Sequence, residues 1–147
     1  MKTALLAIVF VFTTFILFAQ PSAKADKDKD RIVRVCDSIV QAFSGNHIPE
    51  AMALLKQNSV MESSAIDSLE AKINRQMETI ILPRYGKMLS FEFIKEKKIK
   101  NVIAKRYYMI KLDKYFLKVD FVLYNNGSNW TITTYNLNEN IDELLTD

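Results

Sequence analysis

The chain has 147 residues, of which 49% are hydrophobic, 11% aromatic and 25% charged, with three glycines and three prolines. This composition is typical of a globular protein and excludes a disordered chain. The length leaves room for one domain, because a second hydrophobic core needs about 100 further residues, so a two-domain enzyme is excluded.

The first 25 residues have the pattern of a secretory signal peptide. Lys2 supplies a positive charge, and residues 4–19 form an uncharged, mostly apolar run. The run is shorter than the roughly 20 apolar residues of a membrane-spanning helix, and Ala23 and Ala25 offer the small side chains that signal peptidase requires. We expect cleavage before Asp26, and therefore an exported protein of the bacterial periplasm or extracellular medium with no membrane contact after cleavage. An uncleaved N-terminal anchor is the alternative.

Export would also change the charge balance. The full chain carries a net charge of +3, but residues 1–25 contain two lysines and no acidic residue, so 18 basic and 17 acidic side chains remain. The densest basic stretch, residues 95–100, is interrupted by Glu96 and Ile99. A nucleic-acid-binding protein needs a continuous basic surface along the phosphates, so we expect no nucleic-acid partner.

The first half of the remaining chain has the three- and four-residue hydrophobic spacing of amphipathic helices. A first helix is predicted over about residues 29–43, ended by the Ser-Gly-Asn sequence that follows. Pro49 suits the first turn of a short second helix. An apolar stripe from Ile66 to Ile81 predicts a third helix, which Pro83 should end or kink.

From Met88 onward the hydrophobic period is two, as in β-strands. Strands are predicted from Met88 and over residues 102–112, 115–124 and 130–137, with a possible helical turn after the last one. Residues 125–129 contain Asn-Gly and predict a hairpin turn, because both residues tolerate a positive φ. The predicted fold is a single α+β domain over residues 26–147, with about three N-terminal helices on one face of a curved four-stranded antiparallel sheet.

The order of elements and a few residues together resemble the nuclear-transport-factor-2-like superfamily, and in particular its small secreted bacterial members of unknown function. The residues that carry the resemblance are Phe43, Gly45, Asn46, Ala51, Leu54, Leu55 and Trp130. The resemblance covers about residues 28–140 and implies a cone-shaped fold that encloses a pocket and often dimerises through the outer sheet face. The cystatin-like fold, one helix wrapped by a sheet, is the alternative, and three helices before the first strand argue against it.

The two faces of the predicted sheet have different expected roles. The inner face would either line an apolar ligand pocket or fill the core, with Phe91, Phe93, Leu117, Val119, Phe121 and Trp130. The outer face would form a homodimer interface, because it is more apolar than a solvent-facing surface, with Tyr107, Met109, Phe116, Val122, Tyr124 and Tyr135. In the alternative, the C-terminal segment covers the outer face, or the lysines of that face interrupt the apolar patch.

Few side chains suit catalysis. The single histidine, His47, falls in a predicted turn and is expected to face solvent. Asp120 lies in the third strand on the face away from the core, where we expect it to pair with a cross-strand lysine or arginine. Cys36, the only cysteine, shares the apolar face of the first helix and is expected to be buried and unreactive. The sequence therefore predicts no catalytic residue.

Metal and cofactor sites are also not expected. Asp26, Asp28 and Asp30 have the opening spacing of a calcium loop, but Arg31 stands where that loop requires glycine. One cysteine and one histidine are too few for a zinc site, and the chain has no glycine-rich phosphate loop.

Three functions remain open from the sequence. The leading hypothesis is a secreted, non-enzymatic module that binds a small apolar ligand or a protein partner. An isomerase- or dehydratase-like enzyme would need a base in the pocket, and a one-residue slip in strand register at Asp120 would provide one. An inhibitor would present the hairpin of residues 125–129 to a target enzyme.

Overall fold

The computed structural model describes the backbone of residues 21–146 and the side-chain burial of residues 26–146. Residues 1–20, most of the predicted signal peptide, lie outside the described residues. Helices come first and pack on one face of an open four-stranded antiparallel sheet of order β1-β2-β3-β4, which confirms the predicted α+β class.

The helices and strands come in the predicted order along the chain. The helical half contains α1 (Pro21–Ser44), α2 (Ile48–Asn58), α3 (Ser63–Gln76), a π-helical turn (Met77–Ile81) and α4 (Leu82–Tyr85). The second half contains β1 (Met88–Ile99), β2 (Ile103–Leu112), β3 (Phe116–Asn125), β4 (Trp130–Asn138) and the single turn α5 (Asp142–Leu145). Within residues 21–146, no helix combines the length and the apolar character needed to cross a bilayer.

Helix α1 begins earlier than the predicted residue 29. Residues 22–28 contain neither proline nor glycine, so no helix breaker lies in this stretch. The helix ends where Asn46, rather than Gly45, takes the left-handed conformation with φ of 60°. The N–H of His47 then donates to the carbonyl of Ala42 at 2.8 Å and closes the turn.

The third predicted helix changes its geometry before Pro83. A π-helical turn over Met77–Ile81 separates α3 from α4, and Pro83 lies in the first turn of α4. Proline cannot donate to the carbonyl one turn earlier, and the wider π turn accommodates that missing hydrogen bond. Gly86 ends α4 with φ of 83°, so the chain leaves the helices at a residue without a Cβ.

The core lies between the helices and the inner face of the sheet. Phe43 of α1 and Leu55 of α2 are fully buried, as are Tyr108 of β2 and Phe121 of β3. The rings of Tyr108 and Phe121 meet edge to face with centroids 5.8 Å apart. Three irregularities in the strand pairing, near Leu89 and Ile94 in β1 and near Thr133 in β4, shift the alternation of faces beyond them.

Candidate ligand-binding site

A cleft of about 360 Å³ opens where the last helical turns meet the ends of β3 and β4. Its lining residues are Gln76, Ile80, Ile81, Arg84, Tyr85, Leu117, Leu137, Asn138 and Glu139.

The cleft follows from where the ladder between β3 and β4 stops. The last paired residues are Lys118 and Asn138, and the chain leaves the sheet after Asn138. Leu117, the next inward-facing residue of β3, therefore has no β4 neighbour. The space beside Leu117 is bordered instead by the π turn, whose Ile80 is half exposed.

The lining of the cleft is divided about evenly between apolar and polar surface. Ile80, Ile81, Leu117 and Leu137 provide aliphatic surface, and the ring of Tyr85 completes it. The Tyr85 ring stacks on Tyr115 with centroids 4.5 Å apart, which fixes the position of the rim.

Arg84 is the only cation that lines the cleft among the described residues. Its guanidinium lies 5.3 Å from the centre of the Tyr85 ring, and no carboxylate of residues 26–146 forms an ion pair with it. Glu139 is the one acidic residue of the lining, and it is exposed. The guanidinium thus has donors without an ion-pair partner among these residues, in a cleft that also offers aliphatic side chains.

Of the six residues predicted to line a pocket, only Leu117 lies in this cleft. Val119, Phe121 and Trp130 are at most 2% exposed and fill the core, as in the alternative interpretation. Phe91 is half-buried against the core, and Phe93 is 44% exposed under the Arg106 guanidinium. The structure therefore places these five residues, which were predicted to line a pocket, outside the cleft.

A buried ion-pair network on the inner face was not predicted. Arg106 of β2 is 9% exposed and donates to the Glu96 carboxylate at 2.6 Å, and Lys29 of α1 donates to the other oxygen of Glu96, also at 2.6 Å. Burial alone would raise the pKa of Glu96, but hydrogen bonds from Lys29, Arg106 and Lys98 outweigh it and lower the pKa to about 2. This network joins α1 to the first two strands.

Tyr108 extends the network towards the surface. Its hydroxyl accepts from Nε of Arg106 at 3.0 Å and donates to the carboxylate of Asp37 at 2.5 Å. Burial and the Asp37 hydrogen bond raise the pKa of Tyr108 well above its ordinary value, so the phenol stays protonated. Arg106, Glu96, Tyr108 and Asp37 thus all have hydrogen-bond partners, as is typical of a network that stabilises the fold.

Asp120 lies on the outer face, as predicted, and is 1% exposed. Its carboxylate lies 3.6 Å from Nζ of Lys105 and 3.5 Å from Nζ of Lys118, and Asn136 donates to it at 2.8 Å. The expected pairing with a cross-strand lysine is thus present. The register did not slip, so this carboxylate is on the opposite side of the sheet from the cleft.

The residues predicted for a dimer interface are divided between the two faces. Tyr135 pairs with Phe121 and lies in the core, 6% exposed, so its placement on the outer face was wrong. Tyr107 is on the outer face but only 3% exposed. Met109, Phe116 and Val122 are half-buried on that face, and Tyr124 is 41% exposed.

The structure also shows the surroundings of the other residues that the sequence analysis considered. His47 is largely exposed, with Glu50 3.9 Å away. Cys36 is fully buried, and burial raises the pKa of its thiol to about 12. Among the residues that the structure describes, no group of three or more potential ligands could hold a metal ion. The hairpin of residues 125–129 is ordered by Asn126, whose side chain accepts from two backbone N–H groups.

Comparisons of the chain with protein-family models, curated proteins and solved structures gave no match. The superfamily resemblance therefore stays a prediction, and function has to be argued from the site itself.

Proposed function

We propose that this chain is an exported, non-enzymatic binding module that holds a small ligand with an apolar body and an anionic group in the cleft beside Leu117. The observation that carries the proposal is the Arg84 guanidinium, which forms no ion pair within residues 26–146 and lies in a cleft beside aliphatic side chains.

The size and lining of the cleft support a small organic ligand. Ligand sites are concave and mostly apolar, and a few polar groups orient the bound molecule. The aliphatic side chains of the lining would contact the apolar body, while Gln76 and Asn138 offer amide groups. The π-helical turn in the wall agrees with this role, because such turns are frequent at functional sites.

The charge of Arg84 supports an anionic group on that ligand. A guanidinium presents its donors in a fork that matches a carboxylate or a sulfonate. Glu139 is the only competing acid in the lining, and it makes no ion pair with Arg84. A hydrogen bond to a charged group contributes about 1.5–3 kcal/mol, so Arg84 would be a large part of the affinity.

The isomerase-like alternative has little support at this cleft. General base catalysis needs a carboxylate or imidazole within hydrogen-bonding reach of the substrate. Asp120 and His47 are both away from the cleft, and its one carboxylate, Glu139, is exposed.

Export is part of the proposal and rests on the predicted signal peptide. Cleavage before Asp26 would keep the contacts of Asp28 with Arg31 and with the backbone of Trp130. The exported protein should have the mass of residues 26–147.

The binding proposal can be tested with two matched fluorescent probes. Anilinonaphthalenesulfonate has an apolar body and a sulfonate, and phenylnaphthylamine has the same body without the charge. We expect one site per chain for both. Replacing Arg84 by Gln should weaken the sulfonate probe about tenfold, which corresponds to 1.4 kcal/mol, and leave the neutral probe unchanged.

Two further variants make this test specific. Arg75→Gln removes an equally exposed arginine of α3 that does not line the cleft, and it should not change either affinity. Ile80→Trp should fill the cleft and weaken both probes. If Arg84→Gln and Arg75→Gln have the same effect, or if Ile80→Trp binds both probes normally, the cleft is not the ligand site.

A further inference from the structure

The C-terminal segment, residues 139–146, crosses the outer face of the sheet. The Glu143 carboxylate accepts from Nζ of Lys105 at 2.8 Å and from Nζ of Lys118 at 3.4 Å. Nζ of Lys95 donates to the backbone carbonyls of Leu144 at 3.1 Å and Thr146 at 2.7 Å. The segment is therefore held by lysines of three strands.

On the outer face, two lysines lie beside a single aspartate at the point that the segment covers. The side chain of Lys118 is 4% exposed and that of Asp120 is 2% exposed, and Lys105 lies beside both. Two ammonium groups thus share one aspartate. Since a buried charge needs a partner, Glu143 of the segment supplies the second carboxylate.

The sequence of the segment is complementary to this face. Residues 138–147 contain Glu139, Asp142, Glu143 and Asp147 and no basic residue. Opposite charges on facing surfaces guide association and fix the register of the partners.

Apolar burial contributes little to holding the segment. Leu145 is 76% exposed, and Ile141 and Leu144 are only half-buried. Helix α5 is a single turn of four residues. Elements with few buried apolar contacts open at low free energy, and partly exposed ion pairs are weak. A competing acidic segment could therefore displace residues 139–146.

We propose that the lysine-lined outer face of the sheet is a docking surface for an acidic segment of a partner protein, and that residues 139–146 occupy this surface when the partner is absent. The surface lies on the opposite side of the sheet from the cleft, and Glu139 is the residue of the segment that also lines the cleft; the proposal does not depend on a ligand there.

The test uses the full chain and a labelled synthetic peptide of residues 138–147 as the acidic probe. In Glu143→Gln the chain's own segment is a poorer competitor, so fluorescence anisotropy should show at least fivefold tighter peptide binding than to the unchanged protein. Adding Lys105→Gln should abolish the gain. Lys111→Gln is the matched control, since Lys111 is on the same face of β2 but pairs with Glu92 and not with the segment.

Salt and peptide controls separate docking from other uses of the face. A peptide with the Glu143→Gln change should bind at least fivefold more weakly, and 1 M salt should suppress binding of the original peptide. The proposal is overturned if the peptide binds neither protein at 1 mM, or if it binds both equally. It is also overturned if Glu143→Gln forms dimers by light scattering, because the face would then serve a second copy of this chain.

Discussion

Glu96 and Glu92 lie on the same strand, and each has a carboxylate oxygen 2.6 Å from a cationic nitrogen, but their surroundings differ. The Glu96 side chain is 12% exposed, whereas that of Glu92 is 56% exposed and pairs with an equally exposed Lys111. Removing one partner of a buried pair leaves the other charge uncompensated, whereas exposed pairs contribute little.

We predict that Glu96→Gln destabilises the fold and that Glu92→Gln does not change its stability measurably. Arg106 and Lys29 would both lose a charged acceptor, and a loss of about 2 kcal/mol is expected, less than for a fully buried pair. Urea unfolding of both variants measures the difference. Equal midpoints for the two variants would show that burial does not strengthen this network.

The pH dependence of stability provides an independent check on Glu96. Its pKa in the folded state, about 2, is below the ordinary 4.5, so the unfolded chain binds a proton first as the pH falls. The stabilisation is complete above about pH 4.5 and is lost as the pH falls towards 2. Glu96→Gln should therefore reduce the loss of stability between pH 4.5 and 2, and an unchanged pH profile would contradict the assignment.

At the scale of elements, Gly86 is the joint between the helices and the sheet. Its φ of 83° and ψ of −168° fall in a region that is essentially restricted to glycine. A Cβ there would lie 2.5 Å from Oδ2 of Asp113, which accepts from the backbone N–H of Lys87 at 3.0 Å. Backbone strain and a steric clash therefore coincide at this residue.

We predict that Gly86→Ala costs about 3 kcal/mol and that Gly127→Ala costs about 1 kcal/mol. Gly127 also has a positive φ, 93°, but a Cβ there would meet no atom within 4 Å, so this variant reports backbone strain alone. Denaturant unfolding with unchanged m-values would give the two costs. Equal losses would mean that Asp113 moves aside without penalty.

The elements were predictable where a local pattern determines them. The alternation from Met88 onward and the Asn-Gly turn at Gly127 are properties of short segments, so the strands and the hairpin followed from the sequence. The irregularity at Ile94 depends on how β1 pairs with β2, which one strand cannot show. For that reason the sequence did not show that Glu96 faces the core opposite Arg106.

The cleft could not be predicted from the sequence for a similar reason. Leu117 was predicted to face inward, and it does, but the cleft also depends on where β4 stops and on the π turn before Pro83. A proline within a long helical stripe was the one local signal of this change in the helix. The relative placement of Arg84 and Leu117 depends on tertiary packing, which the hydrophobic period of a single segment does not show.

At the scale of the whole molecule, residues 28–31 of α1 connect the two edge strands of the sheet. Asp28 accepts from the backbone N–H of Trp130, and Arg31 donates to the carbonyl of the same residue at 3.2 Å, so both contact β4. Lys29 pairs with Glu96 on β1. One turn of helix thus holds both edges, while Asp26 and Lys27 are exposed.

This arrangement predicts a sharp dependence of stability on where the chain begins. A chain that starts at Asp26 keeps these contacts, whereas one that starts at Asp30 loses Asp28 and Lys29. We expect the shorter chain to lose about 2 kcal/mol, equivalent to roughly 8 °C in Tm, because the backbone of Trp130 and the carboxylate of Glu96 each lose a charged partner. Thermal unfolding followed by circular dichroism measures this, with Asp26→Ala/Lys27→Ala as the control that should leave Tm unchanged. If the two chains melt together, the contacts of Asp28 and Lys29 contribute nothing to the fold, and the edges of the sheet are held by Arg31 and the apolar packing of α1.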